Sequence, residues 1–365
     1  MSTELRAFGI CGWSGSGKTT LLVELVRHFT ARKLKVAVIK HDVHGLDADR
    51  EGKDSDRFFR AGADVVLLGP GESFCRGHSG EADALHLAVN RLYPEHDLIL
   101  VEGNKSADLA PKVWLLKDMA EVPPPDVRGI VRVLTRNDDR LGVVTALVEK
   151  WLQQVNQTAP VCAGILFGGR SQRMGQPKHL LRVGNSTWLE HIAATLRPFI
   201  PQLVLLGTGE IPPGLRGLPV LPDAPDREGP IAGMLAAMRW RPDASWVFVA
   251  CDLPRISPAA VKWLLSRRTP GARAILPRLP DCHSVEPLFA WYESRARLLL
   301  ENSRTPSDLA RLSGVLTPEP PPEIATAWAN MNTPMDVAHF HRPPWDGRNS
   351  SLSENHRGLQ LRLSS

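Results

Sequence analysis

Glycines followed at short range by cations occur twice in this chain, and both clusters have the make-up of a phosphate-binding turn. In the first, Gly12-Trp13-Ser14-Gly15-Ser16-Gly17-Lys18-Thr19-Thr20 follows the apolar run RAFGICG and leads into LLVELVRHF. The spacing G-x-x-x-x-G-K-[ST] between a strand and a helix lets the amides of residues 15–19 wrap a β-phosphate. Lys18 then reaches the β/γ oxygens and the Thr19 hydroxyl holds Mg2+. In the second, residues 166–181 read LFGGRSQRMGQPKHLL. The apolar residues Cys162, Ile165, Leu166 and Phe167 carry a buried strand into Gly168 and Gly169, where amides can approach a phosphate chain that a Cβ would obstruct. Arg170, Arg173 and Lys178 supply positive charge for a triphosphate. A Gly-Gly-Arg turn alone also fits an ordinary strand-to-helix connection with solvated basic residues.

Each cluster has an acid at a strand end to go with it. Residues 97–103 (DLILVEG) end a buried run at Glu102, where a metal–water ligand is wanted beside the first loop. Residues 246–254 (WVFVACDLP) end another at Asp252, with Pro254 as the stop. Mg2+ takes one or two carboxylates plus substrate phosphates, so a lone aspartate opposite a Gly-rich loop suits it; capping of the following helix is the alternative. Gly229 and Gly233 in GPIAGM open a helix whose free amides favour electronegative atoms of a base or ribose. Asn330 and Asn332 in NMNTP offer neutral amide contacts on a turn, or an N-cap. His41 and His44, spaced i, i+3 in a loop without nearby cysteines, read as hydrogen-bonded polar residues rather than a metal pair.

The elements that must position these residues alternate between apolar strand-like runs and amphipathic helical ones, an α/β pattern. At 365 residues the chain suggests about two domains. The polar piece ending in Pro160 reads as a linker over 154–160, with domains at 1–153 and 161–342 and a polar, Ser-rich, disordered tail at 343–365. No internal repeat relates the halves. A hydrophobic content of 43% with 23% charged residues is that of a soluble globular protein. No apolar run nears the roughly 20 residues that span a bilayer, and the early strand leaves no room for a signal peptide. The net charge of +5 lacks a basic stripe interleaved with aromatics, so a phosphate-rich small substrate accounts for it without nucleic acid. Five scattered cysteines, three of them in apolar runs, point to reduced thiols in a cytoplasmic protein.

The pieces WSGSGKTTLL, IKHDVHGLDAD, GKDS and LILVEGNK together resemble MobB, the GTP-binding accessory protein of molybdenum cofactor biosynthesis, over about residues 5–152. Lys40-His41, Gly52-Lys53-Asp54-Ser55 and Glu102-Gly103 fall in that family's order, while Asn104 stands where an aromatic is common. The ordered Gly-Gly-Arg, Arg-Met-Gly and Lys of the second cluster, with GPIAG, the CDxP motif at Asp252, PLFA and NMNTP, resemble MobA, the molybdenum cofactor guanylyltransferases, over about residues 161–341. The resemblance implies two Rossmann-like three-layer domains, an N-terminal P-loop NTPase and a C-terminal nucleotidyltransferase of GT-A-like fold.

It further implies that GMP passes from GTP to the terminal phosphate of molybdopterin (or Mo-molybdopterin), releasing pyrophosphate. Arg173, Lys178 and Asp252 would be catalytic. Leu166, Gly168, Gly169, Asp223, Gly229 and Gly233 would bind nucleotide, with Asp223 at the guanosine and Asp252 on Mg2+. The P-loop would bind GTP separately, hydrolysing it slowly at most. Molybdenum insertase and molybdoenzyme chaperones would be further partners. Phe167 departs from the usual alanine, QPK shortens the loop, and Leu206-Gly207-Thr208 lacks an asparagine found in some members. These departures leave open a cytidylyltransferase, and a non-catalytic P-loop regulatory or carrier protein is the reading from another class.

Overall fold

The computed structural model describes residues 5–42, 49–78, 83–168, 177–279, 284–333 and 336. Its first half comprises β1 (Phe8–Gly12), α1 (Lys18–Ala31), β2 (Val36–Lys40), α2 (Asp54–Arg60), β3 (Val65–Gly69), β4 (Glu72–Arg76), α3 (Ala84–Leu92), β5 (Leu98–Glu102), β6 (Lys112–Leu115), β7 (Ile130–Leu134) and α4 (Arg140–Thr158). Five strands form a sheet in the order β2-β5-β1-β6-β7, every pair parallel. A sheet covered on both faces needs strands apolar on both sides, and β1, β5 and β6 are buried along their whole length. Phe8, Ile10 and Leu115 pack against Leu25 and Phe29 of α1 and Val144 and Val148 of α4. On the other face Ile99 and Val101 meet Leu85 and Val89 of α3. β3 and β4 pair separately as an antiparallel hairpin.

The second half comprises β8 (Val161–Phe167), β9 (Arg182–Val183), β10 (Ser186–Thr187), α5 (Trp188–Leu196), β11 (Gln202–Gly207), β12 (Val220–Leu221), α6 (Pro230–Trp240), β13 (Ser245–Ala250), α7 (Pro258–Ser266), β14 (Ala274–Ile275), β15 (Phe289–Tyr292), α8 (Ala296–Glu301), β16 (Val315–Leu316) and α9 (Pro322–Ala325). Seven strands run in the order β12-β11-β8-β13-β15-β14-β16, with β15 antiparallel to both neighbours. One layer, with α5 and α7, packs Ile165, Val249 and Trp291 against Ile192 and Leu264. The opposite layer, with α6 and α8, packs Val204 and Phe248 against Met234, Leu235 and Leu300. Both halves are therefore three-layer α/β structures. Among the described residues no helix is long and apolar enough to cross a membrane.

The expected linker over 154–160 is corrected at its start. QQVNQT continues α4 to Thr158, leaving only Ala159 and Pro160 before β8. Those residues contain no glycine or proline, and the helix stops at the residue that Pro160 forces into extended backbone, Ala159 at ψ 132°. The expected tail at 343–365 lies outside the described residues. The halves also touch through buried charge. Arg273 Nη2 and Arg295 Nη1 stand 3.1 and 3.4 Å from Asp97 Oδ1, and Arg295 Nε donates to Glu293 Oε2 at 2.7 Å. Arg273 donates to the Glu95 carbonyl at 3.2 Å, and Tyr93 donates to Glu293 at 3.2 Å.

Candidate functional site

At the carboxyl edge of the first sheet, β1 ends at Gly12 and α1 begins at Lys18. Gly12 sits at φ +148°, and a Cβ there would lie 2.5 Å from the Leu115 carbonyl oxygen and 2.6 Å from Ser16 Oγ. Only glycine lets the loop turn this close to the neighbouring strand. Lys18 Nζ donates to the Trp13 carbonyl at 2.9 Å, and Thr19 Oγ1 donates to Glu102 Oε1 at 3.0 Å. Gly12, Gly15, Gly17, Lys18, Thr19, Thr20 and Glu102 line one cleft of about 790 Å³, together with His41. Ser16 is buried behind them, its hydroxyl without a partner among the described residues. The i, i+3 histidine pair cannot be followed further, because His44 lies outside the described residues.

Two arginines brace this loop, and neither stands out in the sequence. Arg140, the first residue of α4, donates to the carbonyls of Ser16 and Leu116 at 2.6 Å each and of Thr135 at 2.7 Å. Arg136 Nη2 donates to the Gly15 carbonyl at 3.0 Å. Two carbonyls of the loop, those of Gly15 and Ser16, are thus held by arginine donors. Both arginines belong to a polar turn more than a hundred residues away, so no local spacing marks them.

The second cleft, of about 530 Å³, opens at the carboxyl ends of β8, β11 and β13. Leu166, Gly168, Lys178, Asp223, Gly229, Asp252, Asn330 and Asn332 all line it. Gly168 has φ +91°, and a Cβ would fall 2.3 Å from the Thr208 carbonyl oxygen. Lys178 Nζ stands 3.1 Å from Asp252 Oδ2 and donates to Asn332 Oδ1 at 2.7 Å. The amide of Met331 donates to the Asp252 carbonyl at 2.9 Å, tying the asparagine turn to the end of β13. Segments distant in sequence thus bring one carboxylate, one ammonium and one amide together.

Gly233 does not line the cleft. It lies in α6 behind the wall, where a Cβ would be 3.2 Å from Asp223 Oδ1 and 3.3 Å from Leu166 Cδ2. Its lack of a side chain seats the helix against those two residues. Gly169, Arg170 and Arg173 lie outside the described residues.

Glu286 is a polar neighbour absent from the expected site. Its carboxylate accepts from Asn330 Nδ2 at 3.3 Å, and burial first, then the Asp252 charge, push its pKa up. The Cys251 thiol is pushed up to about 12, by burial and then by Asp252. The one mark of Glu286 in the sequence is its place directly before the PLFA motif at Pro287, which entered through the family resemblance and not through this carboxylate. Among the described residues no three His, Cys, Asp or Glu side chains converge as a protein-only metal cage.

Known proteins resemble each half separately. Residues 7–136 match the family described as molybdopterin guanine dinucleotide synthesis protein B, and residues 163–316 match the MobA-like NTP transferase domain. The chain is 33% identical to a molybdopterin-guanine dinucleotide biosynthesis adapter protein of Haemophilus influenzae, over 42% of this chain and 92% of that protein. It is 36% identical to a probable molybdenum cofactor guanylyltransferase of Pelotomaculum thermopropionicum, over 38% of this chain and 66% of that protein. A probable molybdenum cofactor guanylyltransferase of Bacillus cereus strain G9842 is 30% identical over 40% of this chain and 76% of its own length. Matched half by half in this way, the chain belongs to two families in tandem, MobB followed by the MobA-like NTP transferases.

Proposed function

We propose that the second half transfers GMP from GTP to the terminal phosphate of molybdopterin, releasing pyrophosphate, and that the first half is its nucleotide-binding accessory. The observation that carries this reading is the convergence of Lys178, Asp252 and Asn332 at the mouth of the Gly168 turn, with Asp223 and Gly229 in the same cleft. A phosphate monoester has a second pKa near 6, so the pterin phosphate is largely ionised at neutral pH and requires no strong base. Catalysis then rests on positioning and charge neutralisation. Lys178 would hold the triphosphate, assisted by Arg173, while Asp223 and the start of α6 place the nucleoside.

A divalent cation, with Mg2+ as the proposed ion, suits the donor set. Asp252 offers one carboxylate beside one amide oxygen, which fits a hard ion that keeps phosphate and water ligands. Bound there, it would neutralise charge on the α-phosphate and on the leaving pyrophosphate. Asp252 would exchange its ion pair with Lys178 for the cation, freeing the ammonium for the β- and γ-phosphates. Thr19 and Glu102, 3.0 Å apart, form a comparable oxygen pair in the P-loop cleft. Molybdenum insertase and molybdoenzyme chaperones are proposed as the proteins that deliver and receive the cofactor.

The test is nucleotide-dependent pyrophosphate release with molybdopterin present, comparing GTP, CTP and ATP. GTP should be preferred, and Asp252→Ala or Lys178→Ala should lower release by about 100- to 1000-fold with the fold intact. Preference for CTP would assign the chain to cytidylyl transfer. Near-normal turnover in either variant would remove that residue from the mechanism.

A further inference from the structure

The loop between β5 and β6 overlies the P-loop cleft, and nothing in guanylyl transfer uses it. Gly103 and Asn104, at φ +81° and +49°, swing the chain back so that Asn104, Lys105 and Ser106 line the cleft. The loop is anchored from below by a fully buried lysine. Lys112 Nζ donates to the carbonyls of Lys105 at 2.9 Å and Ala107 at 2.6 Å. Its stem has room only because Gly9 carries no side chain: a Cβ there would lie 2.8 Å from Lys112 Cγ. The backbone of Lys105 is thus fixed while its side chain reaches out.

The Lys105 ammonium lies 3.7 Å over the Trp13 ring and 5.8 Å from that of Trp114, against which Trp13 packs edge-on. Trp13 belongs to the phosphate loop itself, and its carbonyl accepts from Lys18. Two ammonium groups, one from the start of α1 and one from the loop after β5, therefore end on one tryptophan. Neither has a carboxylate partner among the described residues. Burial and the charge of Lys18 both push the Lys105 pKa down, as expected of cations converging on a site for an anion. Glu102, three residues before Lys105, accepts from Thr19 and so marks the β/γ end of a bound nucleotide.

We propose that Lys105 is a second phosphate-binding cation of the P-loop site, which leaves the Trp13 ring to contact the terminal phosphate of a nucleoside triphosphate. The assignment rests on reading this cleft as a nucleotide site. A charge-assisted hydrogen bond to phosphate outweighs a cation–π contact at a half-exposed ring, so a triphosphate draws the ammonium across. A diphosphate lacks the group that would do so. Lys105 would thereby make the accessory site distinguish GTP from GDP.

The test is calorimetric titration of the full-length chain with GTP and with GDP, the P-loop component being the one that Lys18→Ala removes. Lys105→Ala should weaken GTP at that component by about 10- to 100-fold and leave GDP unchanged. Lys105→Arg should restore GTP binding. GTP, but not GDP, should alter Trp13 fluorescence, a signal absent from Trp13→Phe. Equal losses for both nucleotides would mean that Lys105 only supports the loop, and no loss for either would mean that it contacts no phosphate; both overturn the assignment. If Lys18→Ala removes no binding component, the reading of the cleft falls first, and the role of Lys105 falls with it.

Discussion

Asp252 and Cys251 are consecutive residues with opposite fates. The aspartate reaches the cleft, while the thiol turns into the layer under α5 and α7. With its pKa pushed up to about 12, Cys251 is a neutral thiol at pH 7 and a poor nucleophile. Cys11 and Cys162 are buried as well, whereas Cys75 is exposed. Mild alkylation at pH 7 should therefore modify Cys75 and leave Cys11, Cys162 and Cys251 unreacted, as peptide mass mapping would show. Modification of Cys251 under those conditions would mean that the end of β13 opens. At this scale the cleft residues that could be read from the sequence were those with a local signature. Lys178 and Asp252 each stand in a short motif beside a glycine or a strand end, and Asn330 and Asn332 in the compact motif NMNTP. Glu286, Arg140 and Lys112 do not, because long-range packing gives them their roles.

Strands were easier to recognise than their ends. The runs at β5, β8 and β13 are apolar almost throughout because helices cover both faces, and one acid or glycine then marks where each leaves the sheet. Polar helix ends carry no such mark, which is why α4 outlasts the linker expected over its last turn. The β12 strand is short, with only Val220 and Leu221 paired to β11. The start of α5 is the clearest local signal of the second half. Thr187 Oγ1 accepts from the Glu190 amide at 3.2 Å, and Glu190 Oε2 accepts from the Thr187 amide at 2.9 Å. Loss of this reciprocal cap in Thr187→Ala should destabilise the protein by about 1 kcal/mol in chemical denaturation. A change near zero would show that packing of Trp188 and Leu189 alone holds the helix start.

Between the halves, Arg273, Arg295, Asp97 and Glu293 form a buried network with two charges of each sign. Removing one member leaves an uncompensated charge away from water, and breaking such a pair is expected to cost about 3 kcal/mol. Arg273→Met should therefore split a single calorimetric transition into two, as the halves come to unfold separately. A single, unshifted transition would show that the network contributes little to their docking. Nothing in the sequence announces this contact, since its members come from three segments far apart in the chain: Asp97 before β5, Arg273 before β14, and Glu293 with Arg295 between β15 and α8.

The two-residue junction at Ala159 and Pro160 acts together with that network. A helix that runs almost directly into an interior strand of the next sheet leaves little slack for one half to swing against the other. In solution the chain should tumble as one body, with a single rotational correlation time rather than two. The P-loop and the transferase mouth then keep a constant separation. Anything released at one can reach the other only by diffusing through water, not by being carried there.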